Sequence, residues 1–249
     1  MLVGLFHVGA GCGNQLFRYV TTRVLAEERG FEFGMVSPTL FKGHSFMTVD
    51  LGKPVDMPYI VEEGSGKVMC LGDMPLWEEK GFQYNPEINY LEDNTIIDGS
   101  FEDSKYWEHR LDDISEWLKV EPLHVPDDTC VIGFRGGEYY TVPELGLPKE
   151  YYWEAMDLMQ RRGVTNFQVH TDDLRLAKEF FPNYECIQDI GINWRSIRYA
   201  KNAIIANSSF YVLPRLLSKG ITISPRYWNR YNTKKWEYPQ NYYKAFIHI

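Results

Sequence analysis

Four short stretches of this chain carry residue types that can do chemistry. In Val131-Ile132-Gly133-Phe134-Arg135-Gly136-Gly137-Glu138-Tyr139 an apolar run ends in an Arg, two glycines and an acid. An Arg at the end of a strand, with glycines leaving room for a ligand, can clamp a diphosphate through its planar fork of donors. Glu138, three residues on, can act as a general base, position a hydroxyl, or simply hold Arg135. In Val169-His170-Thr171-Asp172-Asp173 two carboxylates follow another apolar run. They can accept from guanine N–H groups or ribose hydroxyls, or one of them can cap the next helix. A metal-binding acid pair is a further reading of the same residues, and it needs oxygen ligands from elsewhere.

The third stretch is the glycine loop Gly9-Ala10-Gly11-Cys12-Gly13-Asn14. Such a loop exposes backbone N–H groups at a helix start, which suits an anion. It departs from the dinucleotide fingerprint because Asn14 stands where that pattern needs a small residue. The fourth is Ala206-Asn207-Ser208-Ser209-Phe210, where hydroxyls and amides at a helix start offer an anion site, and N-capping alone would account for one Ser.

The elements that must position these residues follow from periodicity. Leu2 to His7 reads as a buried strand, and residues 14–28 read as a helix with Leu16, Phe17, Val20, Val24 and Leu25 on one face, ended by Gly30. Residues 37–92 show weak periodicity and give only loops and short strands. A strand over 95–98 leads to a helix over 103–120, with Trp107, Leu111, Ile114 and Leu118 at helical spacing. After Pro122 and Pro126 the pattern becomes regular. Strands at 129–134, 166–171, 184–187, 203–206 and 221–224 alternate with helices at 149–162, 173–181, 192–200 and 209–219, which predicts a doubly wound parallel sheet. All four stretches then fall after strands, at the carboxyl edge where such sheets bind ligands. A length of 249 residues favours two lobes, 1–125 and 126–249.

Hydrophobic residues at 44% and charged residues at 24% place the chain among folded globular proteins and exclude disordered and fibrous classes. Cys12, Cys70, Cys130 and Cys186 form no CxxC pair, so neither a zinc site nor a disulfide framework is expected, and a reducing cytoplasm fits. No stretch reaches the ~20 apolar residues of a membrane span, which leaves peripheral membrane association as the only membrane contact expected. From Arg195 onward ten Lys or Arg face one acid, Glu237, while the first 194 residues hold 16 Lys or Arg against 33 Asp or Glu. An anionic ligand is therefore expected toward the C-terminal part, although a solvated basic face gives the same count.

Four segments of the chain, in order, resemble glycosyltransferase family eleven, the inverting alpha-1,2-fucosyltransferases. Gly11-Cys12-Gly13-Asn14-Gln15-Leu16-Phe17-Arg18-Tyr19 is similar to the family's GGLGNQLFQYA opening, and the segment from Asp98 to Trp107 to its DGYWQSEKYF. Phe167 to Asp173 resembles FYVFSDD, and Asn202 to Phe210 resembles the HNIIANSTF portion of a further stretch. The resemblance implies a GT-B-like α/β fold of two Rossmann-like lobes, an acceptor-side N-terminal lobe and a C-terminal lobe that binds a GDP-sugar. It implies transfer of fucose from GDP-fucose to a glycan acceptor such as a terminal galactoside, without metal or another cofactor. Arg135, Asn14 and Glu138 are then the catalytic candidates. Gly11, Gly13, Arg135, Asp172, Asp173, Asn207, Ser208 and Ser209 are the donor-binding candidates.

The chain departs from the family where the central motif reads HxRRGD. Here the His and the second Arg are Gly133 and Gly136, and the Asp is Glu138. Arg215, Arg226 or Arg230 are the candidates to restore the missing charge. Tyr211-Val212-Leu213 stands in place of the family's SWW. Three other readings stay open: a transferase using another GDP-sugar, a GDP-sugar or carbohydrate-binding protein that has lost catalysis, and a nucleic-acid binder using the basic aromatic stretch 226–236. The last lacks a recognised motif, and the rest of the chain is acidic.

Overall fold

The computed structural model describes residues 1–142, 144–228 and 243–249. The chain divides into two compact units, Met1–Lys119 and Val120–Ile249. Each is built on a parallel sheet with helical connections, and the sheet of the C-terminal unit is the doubly wound one that the periodicity predicts.

In the N-terminal unit, β1 (Leu2–Leu5) is followed by α1 (Cys12–Arg29), β2 (Phe33–Val36), the hairpin strands β3 (Tyr59–Val61) and β4 (Val68–Cys70), β5 (Leu76–Glu78), β6 (Thr95–Asp98) and α2 (Leu111–Trp117). The sheet order is β2-β1-β6-β5, with every pairing parallel, while β3 and β4 pair antiparallel with each other. All four residues of β1 are buried, as expected for a central parallel strand covered on both faces. Helix α1 lays Leu16, Phe17, Val20, Val24 and Leu25 into the core and stops at Gly30, whose φ of 69° suits a residue without Cβ.

The single helix expected over 103–120 is broken. Two 3-10 turns, Ser104–Tyr106 and Glu108–Arg110, precede α2. The periodicity located the buried face, since Trp107, Ile114 and Leu118 are fully buried, but not the backbone path. Phe101 has a left-handed φ of 52°, and its turn is fixed by Glu79 Oε2, which accepts from the Ser100 and Phe101 N–H groups at 2.7 and 3.0 Å. Trp107 Nε1 donates to the Phe101 carbonyl at 3.0 Å, so the indole is spent on that turn. Trp107 itself, with φ −150° and ψ −10°, is neither helical nor extended, and this stops the first 3-10 turn from continuing.

The C-terminal unit runs β7 (Thr129–Phe134), α3 (Lys149–Gln160), β8 (Asn166–Thr171), α4 (Leu174–Phe180), β9 (Glu185–Ile187), α5 (Ile190–Tyr199), β10 (Asn202–Ile205), α6 (Ser209–Leu216), β11 (Ile221–Ser224) and β12 (Ile247–His248). The strand order β12-β11-β10-β7-β8-β9 is parallel throughout. From β7 the chain steps outward to β8 and β9, returns to β10 on the other side of β7, and steps outward again to β11. With right-handed crossovers this winding places helices on both faces. It also makes β7 and β10 the switch pair, whose connections leave in opposite directions and open a crevice at their carboxyl ends.

Candidate functional site

Arg135 is the first residue after β7, and Asn207, Ser208 and Ser209 follow β10, so these stretches flank the switch crevice. Arg135 is about three-quarters buried and points both faces of its fork at carboxylates. One terminal nitrogen donates to Asp172 Oδ2, and the other donates to Glu138 Oε1 at 2.5 Å. Its guanidinium carbon lies 5.1 Å from the Tyr139 ring centre, a cation–π distance. Burial alone would lower the affinity of Arg135 for its proton, but Asp172 and Glu138 outweigh it and hold the group above its ordinary pKa. The guanidinium is therefore a fixed charge at the crevice.

The two aspartates divide their work. Asp172 grips the β7 end twice, since Oδ1 also accepts from the Gly136 N–H at 2.8 Å. Asp173 is the N-cap of α4, accepting from Leu176 N–H at 3.0 Å and more weakly from Gly137 N–H at 3.3 Å. The Leu176 bond is the leading cause that holds its carboxyl below the usual range. Glu138 sits on a 3-10 turn, Gly137–Tyr140, and is 65% exposed, so its hold on Arg135 is open to competition from solvent or a ligand.

Across the switch, Asn207 is buried. Its Nδ2 donates to the carbonyls of Leu145 at 3.0 Å and Trp228 at 2.7 Å, leaving Oδ1 with no hydrogen-bond partner. The buried Ser208 is the N-cap of α6, yet its hydroxyl makes no capping bond, and the first turn of α6 holds no acid. The Asn amide thus braces the loop, while the serine end of α6 is left uncapped by its own side chains.

Arg215 does not restore the charge missing at Gly136. It is 1% exposed and lies on the last turn of α6, donating to the carbonyls of Ile197, Ala200 and Ile221 and to Thr222 Oγ1 at 2.7 to 3.0 Å. Burial lowers it to about 10. Arg226 is exposed on the chain leaving β11, and Arg230, like most of the basic stretch 226–236, lies outside the described residues.

In the N-terminal unit, Gly11 is the N-cap of α1, with no side-chain cap and no acid in the first turn of that helix. A Cβ built on Gly9 or Gly11 would meet nothing within 4 Å, so the loop faces open space. Gly13 is buried in the first turn, and Asn14 holds a buried Oδ1 with no hydrogen-bond partner. One turn on, Arg18 donates to Asp98 at the end of β6, and His7 Nε2 lies 3.0 Å from the same carboxylate oxygen. This cluster was missed from sequence. The signal was Arg18 itself, which stands on a buried helix face where the family motif has Gln and so requires an anion nearby. Desolvation opposes the charge on Asp98, but His7 and Arg18 overcome it and hold the carboxyl at about 2. All four cysteines are free, and no described helix is long and apolar enough to cross a membrane.

No protein-family model and no curated protein matches the chain in sequence. Among solved structures, it is similar to the alpha-1,6-fucosyltransferase NodZ soaked with GDP-fucose, at 12% identity and a TM-score of 0.45, over 87% of this chain and 92% of that one. It is also similar to the E. coli heptosyltransferase WaaC with ADP, at 10% identity and a TM-score of 0.44, over 100% of this chain and 92% of that one.

Proposed function

We propose that the chain is an inverting glycosyltransferase of GT-B type that binds GDP-fucose in its C-terminal unit and transfers fucose to a sugar hydroxyl, in alpha-1,2 linkage, without metal. The observation that carries this reading is Arg135. It is a fixed cation at the carboxyl end of β7, at the switch crevice, with the uncapped serine end of α6 across from it. The four motif stretches, in the family's order, supply the donor identity.

In this reaction the acceptor hydroxyl gives its proton to a base, for which the Glu138 carboxylate is the candidate, and its oxygen forms a bond to the anomeric carbon while the bond to the β-phosphate oxygen breaks and GDP leaves. Charge grows on that phosphate, and a preorganised cation there lowers the barrier by about 3 kcal/mol. Arg135 is assigned that role, with Ser208 and Ser209 as phosphate donors and Asp172 as the brace that aims the guanidinium. The exposed Glu138 carboxylate yields its place on the fork when a phosphate arrives. Asn14, with its unpaired Oδ1, is assigned to the acceptor sugar on the N-terminal unit.

A second reading, a protein that binds a GDP-sugar without turnover, is favoured by one observation: the place of the second motif Arg is filled, since a Cβ on Gly136 would lie 2.5 Å from that of Asp173. Calorimetry with GDP-fucose and GDP-mannose, without added metal, tests both readings beside Arg135→Ala. GDP-fucose binding that is lost in the variant, followed by slow donor hydrolysis, supports the transferase. Binding without hydrolysis or transfer supports the second reading, and no binding of either nucleotide sugar overturns both.

A further inference from the structure

We infer that the β3–β4 hairpin is latched to the carboxyl end of the N-terminal sheet by a contact that exists only while His7 is neutral, so that protonation of this imidazole loosens the hairpin. His7 lies two residues past β1, and its two ring nitrogens have unlike partners. Nδ1 faces the backbone N–H of Val68 at 2.9 Å, and Nε2 faces Asp98 Oδ1 at 3.0 Å and Oδ2 at 3.2 Å. A backbone amide can only donate, so Nδ1 must present its lone pair and the single ring proton sits on Nε2, given to Asp98. A second proton can go only onto Nδ1, which would set two N–H groups against each other at hydrogen-bond distance.

The hairpin has further ties that do not depend on His7, among them the Lys67–Glu78 ion pair to β5 at 2.7 Å. The Val68 side chain is fully buried in the cluster with Val3, Leu5, Val36 and Ile96, and Val8 N–H donates to the Gly66 carbonyl at 3.0 Å. Gly66 has φ +70°, and a Cβ there would lie 2.5 Å from the Val8 carbonyl oxygen, so the hairpin end rests directly on the chain leaving β1. Protonation thus removes one tie among several and shifts a local opening equilibrium. Val8 runs straight into the Gly9–Gly13 loop, so when the hairpin opens and the Gly66 carbonyl leaves Val8, the loop that presents Asn14 loses a brace as well.

His7 faces Asp98 on β6, and Asp98 in turn meets Arg18 on α1 and acts on Lys67 and Cys70 of the hairpin, with Glu78 on β5 paired to Lys67. Asp98, held at about 2, keeps its charge throughout the range from pH 8 to pH 5. Lys67 pairs with Glu78 at 2.7 Å, and that bond leads in holding the lysine above its ordinary value; burial raises the Cys70 thiol.

Hydrogen–deuterium exchange of the full chain, read over residues 62–71 from pH 8 to 5 and corrected for intrinsic amide exchange, tests the latch. Protection is expected to fall roughly fivefold in the wild type, the scale of one lost neutral hydrogen bond, while amides of β1 and β6 stay protected. His7→Asn places an oxygen acceptor where Nδ1 stands and takes up no proton, so its protection should stay flat with pH. His7→Phe should leave the segment poorly protected at every pH. A flat wild-type profile, a His7→Asn profile that falls in parallel with the wild type, or a His7→Phe segment as protected as the wild type at pH 8 overturns the latch. Should His7→Phe fail to fold, the wild type against His7→Asn decides alone.

Discussion

The ring of Tyr211 occupies the space that a side chain at position 133 would need, with two ring carbons 2.9 Å from where a Gly133 Cβ would stand. The Tyr211 hydroxyl donates to the Phe134 carbonyl at 3.1 Å, which locks the ring against the end of β7. Gly133 and Tyr211 are thus coupled by volume, the missing side chain of one making room for the ring of the other. Gly133→Ala is expected to destabilise by about 1–3 kcal/mol through overpacking, measured by urea unfolding. In a Tyr211→Leu background the same change should cost clearly less, and equal costs in both backgrounds would show that the two positions are independent.

Acid stability should report Asp98. Its folded pKa of about 2 lies below the usual aspartate value of about 3.9. Such a group adds stability that is fully present above the unfolded value and is lost as pH falls toward 2. With the carboxylate only 8% exposed, the contribution is on the order of 2 kcal/mol. Asp98→Asn is expected to lower stability at neutral pH and to flatten the dependence between pH 4 and 2, as followed by urea midpoints at several pH values.

Asp173 gives the same sign at a smaller scale. Its cap on α4 lowers its carboxyl, so the stabilisation is present at neutral pH and is lost as pH falls below the ordinary carboxylate range. Asp173→Ala should cost about 1 kcal/mol. Asp173→Asn keeps an acceptor for Leu176 N–H and should retain most of the stability while losing its acid dependence.

What the sequence shows and what it hides divides along physical lines. In the C-terminal unit β7 is buried throughout and β8 and β11 over most of their length, so these three strands fall at their predicted residues. The cap reading holds for Asp173, because an aspartate directly before an apolar helical run is a cap by local chemistry, whereas Asp172 engages Arg135 and the Gly136 N–H, partners that its position in the sequence does not announce. The hairpin at 59–70 was illegible. Its register depends on Val68 entering a core formed by β1, β2 and β6, and its latch depends on His7, 61 residues away. The broken helix at 103–120 has the same origin, since the turn at Phe101 is set by Glu79 from another element. Periodicity reports which residues are buried and is silent on bonds between distant segments.

Arg135 and Arg215 carry the same charge, and their partners assign them opposite roles. Arg215 spends its donors on three carbonyls and one hydroxyl beneath α6, none of which has another charge to offer. Lysine keeps the cation but cannot reach four acceptors in one plane, and each buried acceptor left unpaired costs about 1–3 kcal/mol. Arg215→Lys should therefore lose on the order of 3 kcal/mol of stability, while the protein that remains folded at low temperature binds GDP-fucose with unchanged affinity. Arg135→Lys should do the reverse. Its carboxylate partners are half open to water, so stability should move by about 1 kcal/mol or less, while losing the fork should weaken donor binding tenfold or more. Urea unfolding and calorimetry on the same two variants separate the roles. An Arg215→Lys protein of native stability that fails to bind the donor would move the phosphate site from the end of β7 to the end of α6.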